Sequence, residues 1–138
     1  MSNIVLPAAG FLGKLTETER EILTSYGSII TFEKGSNLLE QGQRQEYLFV
    51  LLSGRFQIEI PQKIGQAKKI VLSAVTVVGE IGIFCSHTAT ASVSCLDRCE
   101  FWMVHEKKID ALCAQNPAVA ATFFRNILPI VIDRYFKE

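Results

Sequence analysis

Hydrophobic spacing along the chain changes period twice. Leu15, Ile22, Leu23 and Tyr26 recur at helical intervals, and Thr16 stands three residues before Glu19, the separation of a capping box. This predicts an amphipathic helix over about 16–26, ended by Gly27. From Ser28 the pattern becomes one of short β-branched and aromatic runs: Ser28 to Phe32, Asn37 to Glu40, Tyr47 to Ser53, Arg55 to Ile60, Lys69 to Ala74, Thr90 to Ser94 and Cys99 to His105. These read as strands. Arg55, Gln57 and Glu59 alternate with Phe56, Ile58 and Ile60, the signature of one wet and one buried face. Glycines at 35, 42, 54, 65 and 79 punctuate the runs, a spacing that suits a closed antiparallel sandwich or barrel.

At Glu106 the helical period returns, with Ile109 and Leu112 facing inward, and Asn116-Pro117 resets the chain with proline in a first-turn position. A second helix then runs to about Tyr135, with Val119, Phe123, Phe124, Ile127, Ile130, Val131 and Tyr135 on a wide apolar face and Pro129 positioned to kink it near Arg125. No repeat or linker interrupts this layout. The expectation is one domain over 1–138: a helical segment at 1–27, a β-roll at 28–105 and C-terminal helices at 106–138.

Composition narrows the function classes. Apolar residues make up 49% and charged residues 20% of the 138, enough to build a core and too apolar for a disordered chain. Fourteen basic residues balance fourteen acidic ones, which removes the generic attraction to phosphate backbones and anionic lipid, so neither DNA nor a membrane is an expected partner. The N-terminal apolar run from Ile4 to Leu12 is too short to span a bilayer, and no secretory signal is evident. Cys85, Cys95, Cys99 and Cys113 form no Cys-x-x-Cys pair and fit reduced thiols in a cytoplasm. His87 and His105 lack zinc-type or His-x-His spacing, so no metal is expected from sequence. No nucleophile with a local base stands out, and the chain does not read as an enzyme.

One segment carries candidate ligand chemistry. In Val78-Gly79-Glu80-Ile81-Gly82-Ile83-Phe84, followed by Thr88-Ala89-Thr90-Ala91-Ser92-Val93, a glycine allows close backbone approach, a short helix begins, and Glu80 is placed to accept hydrogen bonds from hydroxyls. Phe32-x-x-Gly35, Gly42, Leu48 to Gly54 and Gly79 to Phe84 fall in the order and spacing of the cyclic-nucleotide-binding domain family, and the chain resembles that family from about residue 12 to 136. Asn116-Pro117 is similar to its bacterial transcription-regulator branch.

The resemblance implies a mainly β fold with flanking helices: a double-stranded β-helix, or jelly-roll and cupin-like β-roll, with an N-terminal helix and two C-terminal ones. It implies a phosphate-binding cassette built from Gly79, Glu80, Ile81, Gly82, Ala89, Thr90 and Ala91. There Glu80 would bind a ribose 2′-hydroxyl, and the ligand would be cyclic AMP or cyclic GMP. The departure lies at Ala89, where nucleotide-binding members carry an arginine. Loss of such a two-bond cation costs about 2–5 kcal/mol, which makes binding weak or absent. The sequence ends at Glu138 with no helix-turn-helix, so the implied protein is a free-standing regulatory sensor in signal transduction. Its partner would be a second copy, through a seam of Phe124, Ile127, Val131 and Tyr135, or another regulatory protein. The alternative is a degenerate roll kept as an interaction or dimerisation scaffold.

Overall fold

The structure, a computed structural model, describes residues 4–136. A 3-10 helix at Gly10–Lys14 leads into α1 (Glu17–Thr24). Thr16 caps α1 through the amide of Glu19, whose carboxylate returns to the amide of Thr16 at 2.8 Å, so the capping box is complete. Eight strands follow: β1 (Ser28–Phe32), β2 (Asn37–Leu39), β3 (Tyr47–Ser53), β4 (Arg55–Ile60), β5 (Lys68–Ser73), β6 (Thr76–Val78), β7 (Ser92–Cys95) and β8 (Cys99–His105). Two helices, α2 (Glu106–Gln115) and α3 (Pro117–Phe136), complete the order, with Pro129 inside α3.

The strands form two antiparallel four-stranded sheets, ordered β1-β8-β3-β6 and β2-β7-β4-β5, which is the β-roll. Alternation in the first sheet explains why its central strands are apolar on both faces through their middles, Leu48–Leu51 and Phe101–Val104. Leu48 and Val50 of β3, with Trp102 and Val104 of β8, face the helices and pack with Leu12, Leu23, Leu112, Phe123 and Ile127. Phe49, Leu51 and Phe101, one residue out of phase, fill the roll with Phe56, Ile58 and Val93 of the second sheet. A strand buried on both faces has no position to spare for a polar side chain. Each such burial stabilises by roughly 1.5–3 kcal/mol.

Two expectations shift. The sequence suggested seven strands, and the structure adds β6, whose Val77 pairs with Val50. Ile127, assigned to an outward seam of α3, lies 4% exposed in the layer between helices and sheet. The phase of α3 is set by Val119, Ala120, Phe123 and Ile127 packing inward, so its outward face carries Leu128 and Ile132 instead. Among the described residues no helix is long and apolar enough to cross a membrane.

Candidate functional site

β6 ends at Val78, and Gly79 turns the chain with φ +88°, a conformation L side chains rarely adopt. The chain then enters a short π-helix over Gly82–Ser86. Gln45, 3% exposed, holds this turn: its Nε2 donates to the carbonyls of Gly79 at 2.6 Å and Tyr47 at 3.0 Å. A Cβ at Gly82 would run into Gln45 Oε1 and the Thr88 carbonyl. Glycine is needed at both positions because the Gln45 carboxamide fills the space a side chain would take.

The turn delivers Glu80 into the interior, 4% exposed. Its carboxylate meets a cation from the far end of the chain. Arg134, in the last turn of α3, places Nη1 at 3.3 and 3.4 Å from the two carboxylate oxygens. Its Nη2 donates to Thr76 Oγ1 at 3.1 Å and to the Val77 carbonyl at 2.7 Å. Burial pushes the Glu80 carboxyl above the ordinary carboxylate range, and the Arg134 charge opposes that push. Burial and the Glu80 charge also raise the phenol of Tyr135, the next residue on α3.

These side chains close a cavity. Gly79, Glu80, Ile81, Thr90 and Ala91 line it with Leu39, Gln45, Ile58, Val78, Val93 and Tyr135, and about 20 Å³ remains, room for one water. On the other side of Arg134 a groove of about 420 Å³ opens between β5 and α3, lined by Lys68, Ile70, Leu72, Thr76, Ile130, Asp133 and Arg134. Glu80 lines the cavity and Arg134 the groove, so their ion pair links the two linings.

Five of the seven residues singled out from sequence line the small cavity. Gly82 lies beside it against Gln45, and Ala89 faces an adjoining cleft with Asn37, Leu38, Leu39, Glu40, Gln43 and Arg44. Ala89 is 4% exposed and tied by its backbone to Gly42 and Gln43. His87 and Arg98 bring no charge to the cavity, since His87 contacts Glu106 at 2.8 Å and Arg98 contacts Glu33 at 3.4 Å. Sequence reasoning missed Gln45, Arg134 and Tyr135. Gln45 sits in a polar run that reads as solvated loop, but Arg134 left a signal, a charge seven residues after Ile127 on the buried stripe of a helix.

The family model of the cyclic nucleotide-binding domain matches residues 29–116, the roll together with α2. The chain belongs to the cyclic nucleotide-binding domain family. Solved structures of this family share its fold at low identity. A cyclic nucleotide-binding domain from Methylobacillus flagellatus KT matches at TM-score 0.81 and 18% identity, over 88% of this chain and 68% of that one. The Thermus thermophilus catabolite activator protein matches at TM-score 0.77 and 18% identity, over 91% of this chain and 60% of that one. The N-terminal domain of a transcriptional regulator from Streptomyces coelicolor A3(2) matches at TM-score 0.73 and 18% identity, covering 95% and 92%. This chain thus spans three-fifths of the catabolite activator's length. No curated protein matches the sequence.

Proposed function

We propose that this cyclic nucleotide-binding domain is a regulatory sensor, not a catalyst, whose pocket is held shut by its own α3 and whose affinity for cyclic AMP or cyclic GMP is low. The observation that carries this reading is the buried Glu80–Arg134 pair. The carboxylate that the family resemblance assigns to a ribose hydroxyl is already taken by a cation of this chain. A space of about 20 Å³ admits no nucleotide, so a ligand must first displace Arg134 and Tyr135. Withdrawing the end of α3 would join the cavity to the β5–α3 groove, giving a space in the range of small-molecule sites. Ile70, Leu72 and Ile130 would then offer a base an apolar wall. Ligand binding and helix position would be the same event, which is what a sensor requires.

Ala89 supplies no counter-charge for a cyclic phosphate; it lines the adjoining cleft of about 140 Å³, one residue before Thr90 of the cavity wall. Calorimetric titration with cyclic AMP and cyclic GMP tests the reading. Wild type is expected to bind at roughly millimolar affinity or not measurably, and Ala89→Arg to bind at least about 30-fold more tightly. Micromolar binding by wild type would refute the low affinity. A folded Ala89→Arg chain that ignores both nucleotides would favour the interaction scaffold.

A further inference from the structure

Both histidines of the chain meet at one place on the surface, although no spacing in the sequence joins them. His105 closes β8 and Glu106 opens α2, so the last ladder position and the first helical one are neighbours in the chain. Tyr47 lies opposite His105 in the β3–β8 ladder, and the amide of Glu106 donates to the Glu46 carbonyl at 2.8 Å. Glu46 is thereby brought beside both. One donor atom from each of Glu46, His105 and Glu106 lies within 4.8 Å of the others. His87, just past the π-helix, arrives from a fourth segment and puts Nδ1 at 2.8 Å from Glu106 Oε2.

A positive charge already sits among these groups. Arg44 places Nε 3.5 Å from Glu46 Oε1 and Nη2 3.3 Å from Glu106 Oε1. The two carboxylates therefore converge on a point that stabilises a cation, and the cation there is removable: the Arg44 side chain is 64% exposed, and exposed ion pairs hold weakly.

We propose that Glu46, His105 and Glu106 form a binding site for a divalent first-row transition-metal ion such as zinc or manganese, with His87 as a positioning residue for Glu106. Two carboxylate oxygens and one imidazole nitrogen suit such an ion better than a soft monovalent one, and they leave coordination positions for water. His87 Nδ1–H on the non-ligating oxygen of Glu106 is the outer hydrogen bond that ligating carboxylates commonly have. Binding requires two local changes. Arg44 swings into solvent. His105 Nδ1 accepts the Lys107 amide at 3.1 Å, so the neutral ring carries its proton on Nε2. For Nε2 to ligate, that proton moves to Nδ1 through water and the cap bond to Lys107 breaks. No proton is gained or lost overall, and the disruption is confined to the exposed start of α2. The bound ion would fasten the entry to β3, the β8–α2 junction and the exit of the cassette helix to one another.

The test is calorimetric titration with zinc chloride of a Cys85→Ser/Cys113→Ser chain, since those two thiols are exposed and would bind zinc themselves. One ion per chain is expected, with Glu106→Gln and His105→Gln each weakening it about 100-fold. His87→Ala should weaken it about 10-fold, and His87→Gln, which keeps a donor, should recover most of that loss. In the wild-type chain, manganese is expected to broaden the amide resonances of residues 44–47 and 105–107 first, a readout that needs no variant. The proposal is overturned if zinc shows no saturable binding, if His105→Gln and Glu106→Gln leave its affinity at the parent value, or if manganese broadens a different region.

Discussion

A charge seven residues along the buried face of a helix has to be answered by another charge, and in this protein Arg134 and Glu80 answer each other across 54 positions of sequence. Removing one member leaves the other stranded. Arg134→Ala strips Glu80 of its counter-ion and takes a donor from Thr76 and Val77, so it is expected to destabilise by about 3–5 kcal/mol in urea unfolding. Pairing it with Glu80→Leu should recover most of that loss, because an apolar pair has no charge to desolvate. A double variant as unstable as the single one would show that the stranded carboxylate is not the cause. The pair also leaves a mark on pH dependence. Burial holds the Glu80 carboxyl above its usual 4.5, so just above that pH the native chain keeps a proton the unfolded chain has released. The stability this group contributes is fully present below pH 4.5 and falls as pH rises through the elevated value. Melting temperatures of wild type and Glu80→Gln, compared from pH 4 upward, are expected to diverge in that sense, with wild type losing ground to the variant.

Among the elements, the cassette turn depends on one side chain reaching over from another segment. Gln45 occupies the volume in front of Gly79 and Gly82, so Gly82→Ala is expected to cost about 1–3 kcal/mol by overpacking, and Gln45→Ala in the same chain to relieve part of it. Thermal denaturation of the three variants checks this, and additive losses would argue that the two positions do not compete for space. Such a dependence is invisible in sequence, because residues 41–46 are polar and look solvated until the fold buries one of them. The long strands were legible for the opposite reason: the period of Arg55–Ile60 and the unbroken apolar run from Tyr47 to Leu52 are imposed by one and two buried faces respectively. β6 was not legible. It has three residues, all buried, and no alternation to give it away. The capping box of α1 was legible because it is entirely local, whereas the 3-10 helix Gly10–Lys14 owes its place to Leu12 docking in the core. The Gly79 turn and Glu80 stood out in the sequence, but the side chain that pairs with the glutamate did not, since α3 reaches it only through tertiary packing.

For the whole molecule, α3 is both the lid of the pocket and an apolar surface. Leu128, Ile132 and Phe136 are 59%, 52% and 79% exposed along it, and Phe84, 51% exposed, extends the patch through its edge contact with Phe124. A second copy packed on this face is expected, giving a dimer in light scattering that Ile132→Glu converts to monomer with little change in melting temperature. A wild-type monomer at high micromolar concentration would exclude it. Whatever grips α3 also reaches the pocket, because Arg134 and Tyr135 belong to the same helix as Ile132. If the shut arrangement is favoured by about 3 kcal/mol, only about one chain in 150 is competent at any instant, and apparent affinity for a ligand falls by that factor. A protein that bound α3 only when its last turns had withdrawn would remove this handicap, and by reciprocity the ligand would tighten that protein's grip equally. The small molecule and the macromolecule would then each report the other's concentration, and weak binding by the isolated domain would reflect a coincidence detector measured with one of its two inputs missing.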